Sequence, residues 1–169
     1  MYYKINDFLE DWDYESKATL KLLDILTDES LKDKVTPEGR SLGYLAWHIT
    51  ISLGEMMNRT GLSICSPDLK SDAPDSSSEI RSAYEKSSGS LVNELKTKWN
   101  DDTLQKEVDM YGSSWKNGVT LGALITHQVH HRGQMTVLMR HAGLKVPGVY
   151  TVRQKKNGLR WECLPRNNI

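Results

Sequence analysis

Two cysteines in 169 residues, Cys65 and Cys163, are too few and too far apart for a disulfide framework or a CxxC site. A single bridge between them is one option; a reduced chain in the cytoplasm is the expectation. No run of about 18 apolar residues occurs, so no membrane-spanning helix is expected. The N-terminus, Met1 to Asp7, has no basic stretch followed by an apolar one, and no signal peptide is expected. Charge of one sign is not in excess either, since 22 Lys and Arg balance 22 Asp and Glu. Without an overall basic field, the chain has no long-range means of gathering nucleic acid or an anionic membrane. There is no GxSxG elbow, no phosphate-binding loop and no dinucleotide fingerprint.

What is present suffices for one core. Apolar residues make up 38 % and are well spread, so a single domain over 1–169 is expected. Four segments carry helical periodicity. The first runs from about Ile5 to Leu26, with Phe8, Trp12, Thr19, Leu22, Leu23 and Leu26 at spacings of three and four. The second runs from about Leu42 to Arg59, capped by Ser41 and followed by Gly61. The third spans about Glu79 to Trp99, with Ser76 and Glu79 at capping-box spacing. The fourth spans about Leu121 to His141, with Thr120 as N-cap, Gly143 as stop and Pro147 beyond.

Between these, 63–78 reads as a polar loop, and 101–118 as a connection with a short extended piece. Asn157-Gly158, between Tyr150–Val152 and Leu159–Trp161, signals a short C-terminal hairpin. The pattern predicts an all-α fold, a four-helix bundle.

Four of the five histidines fall on the fourth helix. At about 100° per residue, His127 and His131 lie about 40° apart on one face, one turn along the axis. Leu124, Gln134 and Leu138 share that face, and Arg132 points the other way. Imidazoles at i and i+4 can reach one ion, as in the HExxH zinc helix. Here no glutamate lies between them, which excludes the zincin mechanism. His48 shares a wheel sector with Leu45 and Ser52 and faces inward from the second helix. A lone inward histidine is more often a hydrogen-bonded core residue. A ligand role for His48 completes an open set of three neutral imidazoles, suited to Zn, Ni, Co, Cu or Fe.

The run from Gly39 to Ile49 (GRSLGYLAWHI) resembles the second-helix segment of the DinB/YfiT-like family of metal-dependent proteins, the DNA-damage-inducible DinB group. His127 to Gln134 (HQVHHRGQ) resembles that family's fourth-helix signature, and Met135 to Gly148 is similar to the family's next segment. The resemblance implies an up-down four-helix bundle, usually a homodimer, with a divalent metal on His48, His127 and His131. Zinc or nickel is the ion it points to. Relatives include thiol-dependent transferases and isomerases, which implies a small-molecule substrate and a low-molecular-weight thiol partner. The tail departs from the family pattern after Gly148, where Val149-Tyr-Thr-Val-Arg replaces a Gly-Pro and acidic stretch.

Other side chains have bland readings beside functional ones. Gln134 is placed to orient a histidine or a water. Gly133 reads as a close-packing position, and Arg132 as a salt-bridge or interface residue. Trp12, Trp47 and Trp115 are candidates to wall a pocket, although aromatics at helical spacing are usually core. Glu15 and Glu55 read as solvated carboxylates before bases or ligands. His130 and His141 read as a bundle-edge contact and a helix-end cation. The functional expectation is a metal-dependent thiol transferase or hydrolase. The alternatives are a non-catalytic metal- or small-ligand-binding bundle and a structural dimer in which the metal merely pins helices.

Overall fold

A computed structural model describes residues 1–149. Among these lie four helices: α1 (Ile5–Leu23), α2 (Leu42–Met57), α3 (Ser77–Lys98) and α4 (Asn117–His141). Two short strands, β1 (Glu107–Met110) and β2 (Ser113–Lys116), pair antiparallel. The hairpin expected around Asn157-Gly158, and Cys163, fall outside the described residues. None of the described helices is long and apolar enough to cross a membrane.

The helix boundaries have local causes. Ser41 accepts a hydrogen bond from the Tyr44 N–H at the start of α2, and Ser76 accepts from the Glu79 N–H at the start of α3. α4 begins before the expected Thr120 cap. Asn117 is fixed from two sides, its N–H donating to Lys106 O at 2.9 Å and its side-chain amide to Thr103 O at 3.0 Å. Thr120 is therefore buried within the first turn, and its hydroxyl donates back to Lys116 O at 3.4 Å. At the other end Gly143 takes a φ of 75° and stops the helix.

The connection 101–118 holds a short 3₁₀ turn (Asp101–Gln105) and then the β1–β2 hairpin. Its turn is Tyr111-Gly112, with φ of 59° and 82°. Positive φ is costly for a tyrosine. The ring is held from α2 and the turn after it: its hydroxyl donates to Glu55 at 2.8 Å, and Arg59 lies 4.7 Å over its face.

α1 packs against α3 and α4, and α2 packs against the same two helices. Phe8, Trp12, Leu53, Tyr84, Leu91 and Leu124 are wholly enclosed. Each such apolar side chain contributes about 1.5–3 kcal/mol by leaving water. α2 and α4 run in opposite senses. Leu45 and Leu138 line the same pocket, His48 meets His127 and His131, and Gln128 donates to Ile49 O at 2.9 Å. That pairing sets the geometry of the site.

Candidate metal centre

α2 contributes His48 and α4 contributes His127 and His131. His127 Nε2 lies 3.1 Å from the Nε2 atoms of both His48 and His131. One donor atom from each ring falls within 4.8 Å of the others. The rings meet edge to face rather than stacked, with centroids 4.4 to 5.0 Å apart. Their nitrogens therefore converge instead of their faces.

Burial lowers the pKa of all three imidazoles, and the charges of neighbouring rings lower it further at His127 and His48. His127 is pushed down to about 4. The three rings are thus neutral near pH 7, each with a lone pair to give. A hydrogen-bond explanation of the cluster fails on proton count. One ring proton joins only one pair of nitrogens, whereas three lone pairs aimed at a common point suit a cation. Donors about 2.0–2.1 Å from a tetrahedral zinc ion stand roughly 3.3 Å from one another; the two pairs that include His127 are 3.1 Å apart, and the third lies within 4.8 Å. The donor set fits a divalent metal.

The surrounding side chains fix the rings. His131 Nδ1–H donates to Gln134 Oε1 at 2.7 Å, which leaves Nε2 as the lone-pair nitrogen. The amide nitrogen of Gln134 donates to His130 Nε2 at 3.2 Å, so His130 makes an edge contact and stays outside the cluster. Gln128, fully buried, ties α4 to α2 through Ile49 O and accepts from the Tyr84 hydroxyl of α3 at 3.3 Å. Sequence reasoning passed over Gln128. Its signal is a polar side chain one residue from His127, turned to the α2 backbone and the Tyr84 hydroxyl of α3.

Sequence reasoning also passed over Arg40 and Tyr44. Tyr44 stacks on His48, with centroids 6.0 Å apart and planes 9° from parallel. Arg40 lies 5.2 Å over the Tyr44 ring. Tyr44 and His48 are four residues apart on α2, the helical spacing that exposes the stack, and Arg40 joins it from just before the Ser41 cap.

Several expected residues lie elsewhere. Trp12 stacks on Phe8 and donates its indole N–H to Ser88 Oγ of α3 at 3.0 Å. It borders a cleft of about 610 Å³ between α1 and α3 that touches no histidine. Trp47 turns from the cluster to the 63–78 loop and donates to Ser71 O at 3.1 Å. Trp115 sits in β2 beside Tyr111. Glu15 is not a solvated carboxylate; it is largely enclosed and pairs with buried Arg132. Gly133 is not a packing position, for a Cβ there meets open space. His141 reaches Asp33 at 2.9 Å at the end of α4.

Comparison with known proteins places the chain in a family. The DinB family model matches residues 1–162, and the chain belongs to the DinB family. It is 45 % identical over 150 residues to the uncharacterized protein YrdA of Bacillus subtilis (strain 168), covering 89 % of this chain and 90 % of YrdA. The crystal structure of a DinB-like protein from Bacillus cereus ATCC 10987 is similar at TM-score 0.86 and 43 % identity, over 89 % of this chain and all of that one. A second DinB-like protein, YjoA of Bacillus subtilis, shares the fold at TM-score 0.67 with 15 % identity, over 85 % of this chain and 97 % of its own.

Proposed function

We propose that this chain binds one divalent metal ion, zinc or nickel, through His48, His127 and His131, and acts as a thiol transferase or hydrolase on a small molecule. The observation that carries the reading is the convergence of three neutral imidazole nitrogens within 4.8 Å from two helices. A bound ion at an open His₃ site supplies a Lewis acid that makes a coordinated thiol or water more acidic.

The protein's own residues do the rest. Burial keeps the rings uncharged, so no proton competes for their lone pairs near neutral pH. Gln134 sets the tautomer of His131. Gln128 holds α4 against α2 and so fixes how far His127 stands from His48. The thiol in this reading rests on the family resemblance, as do the homodimer and the up-down bundle, to which the opposed run of α2 and α4 lends support. A cytoplasmic, single-domain chain completes it.

Among the described residues, the hydrogen-bond partner of the three rings outside the cluster is the Gln134 amide, and no carboxylate is hydrogen-bonded to them, which favours a second reading: a metal or small-ligand binder without turnover. One experiment separates the two. Protein loaded with zinc or nickel is offered a low-molecular-weight thiol and an electrophile. Thiol transfer that disappears in His127→Ala supports the enzyme. Stoichiometric metal and tight ligand binding without turnover support the binder. Failure to take up any divalent ion ends the enzyme reading and leaves of the second only a small-ligand binder.

A further inference from the structure

Beside the histidine cluster, between the start of α2 and the end of α4, lies an open pocket of about 360 Å³. That volume falls within the range of about 300–1,000 Å³ for small-molecule sites. Its walls are Val35, Leu45, Val137 and Leu138, with Arg40 and Gln134 as the polar members. Val35 and Val137 are 60 % and 57 % exposed, an apolar surface uncovered on both sides of the opening.

Arg40 has no carboxylate within ion-pair distance among the described residues. Its guanidinium is instead laid over Tyr44, which is itself stacked on His48. The stack holds a cation at the seam between the pocket and the histidines. Gln134 bridges the same seam from α4, since it lines the pocket and holds His131. A lone cation at the rim of an apolar recess is complementary to one kind of ligand. An anionic group takes the guanidinium fork, and an apolar body covers the valines.

We infer that this pocket binds a small carboxylic acid with an apolar body, its carboxylate on Arg40 and its chain against Val35, Leu45 and Val137. The inference rests on the proposed function only for its direction, since it places the acid next to the proposed metal. The pocket itself is independent of the ion.

The test is calorimetric titration of the full chain, metal-free and zinc-loaded, with hexanoate, hexanamide and hexylamine. The expected result is saturable hexanoate binding to both forms, with hexanamide and hexylamine at least about tenfold weaker. That factor is what one charge-assisted contact supplies. Arg40→Ala should weaken hexanoate about tenfold or more, and Arg40→Lys should recover part of the loss. Val137→Asp, at an exposed position, should weaken it while leaving the melting curve unchanged. His127→Ala should still bind hexanoate. Equal binding of hexanoate and hexanamide overturns the inference, as does undiminished binding to Arg40→Ala. Binding seen only with zinc and lost in His127→Ala also overturns it, because the acid then sits on the ion. Loss of metal binding alone overturns the metal reading and leaves this one standing.

Discussion

Arg132 of α4 and Glu15 of α1 form an ion pair inside the protein, with Arg132 only 2 % exposed. The guanidinium also donates to Glu15 O at 2.7 Å and to Thr19 Oγ1 at 2.9 Å. Removing one partner leaves the other charge enclosed without its counter-ion. Glu15→Ala should therefore cost about 3–5 kcal/mol. Urea unfolding at pH 7 measures this, and a loss below about 1 kcal/mol would show that water reaches the pair.

His127 stands at the centre of the cluster, in contact with both other nitrogens. His127→Ala should abolish stoichiometric zinc uptake, measured by calorimetry and elemental analysis. Zinc should raise the melting temperature of the wild type in proportion to the logarithm of its free concentration, and leave the variant unmoved. An equal shift in both would place the ion elsewhere.

Gln134 would act on the proposed ion only through His131. Gln134→Leu removes the acceptor of the Nδ1–H while keeping the side chain's bulk. Zinc affinity should fall about 10–100-fold, the usual cost of losing such a partner. Gln134→Glu, which retains an acceptor, should hold affinity at or above the wild-type level. If the two variants bind alike, the hydrogen bond to His131 has no bearing on the metal.

The metal-free protein should lose stability as acid is added, for a specific reason. His127 titrates at about 4 when folded, against 6.5 for the free side chain. Between those values the unfolded chain takes up a proton that the folded chain refuses. The contribution is whole above pH 6.5, declines as pH falls towards about 4, and is gone below it. Wild type minus His127→Ala, followed by denaturant unfolding from pH 7.5 to 4, isolates it. A difference that does not change across that window rules out the lowered pKa.

Two glycines of α4 should respond oppositely to alanine. A Cβ at Gly118 runs into the backbone carbonyl of Tyr2, whose N–H is bonded to Gly118 O at 3.0 Å. Gly118→Ala should cost about 1–3 kcal/mol as the N-terminal segment is displaced. At Gly133 the same methyl meets open space, and Gly133→Ala should stabilise the helix by about 0.5–1 kcal/mol. Thermal melting of both variants decides the matter.

The helix interiors and the histidine register were legible in the sequence because periodicity reports which side of a helix is enclosed. It does not report how many sides are. α4 packs on α1 as well as on α2, so Arg132, correctly turned away from His131, meets α1 and not water. Trp12 and Glu15 share that difficulty, for their partners Ser88 and Arg132 are 76 and 117 residues away. The β1–β2 hairpin was legible only as a short extended piece, because its turn is Tyr111-Gly112 rather than Asn-Gly. Its strands are only four residues each; β1 alternates exposed with enclosed residues, but β2 does not, so the two do not read as a matched pair. Thr120 looked like a cap because the bonds that start α4 earlier come from Lys106 and Thr103, in a segment without regular pattern.

The clamp on the far side of α4 has a consequence for how the chain would treat the proposed ion. Arg132 anchors the helix to α1, and Gln128 anchors it to α2, whether or not anything sits between the imidazoles. The two rings on α4 therefore keep their rotation when the centre is stripped. Demetallated protein should stay folded and reload on mixing, so that occupancy tracks supply in the surroundings instead of the history of synthesis.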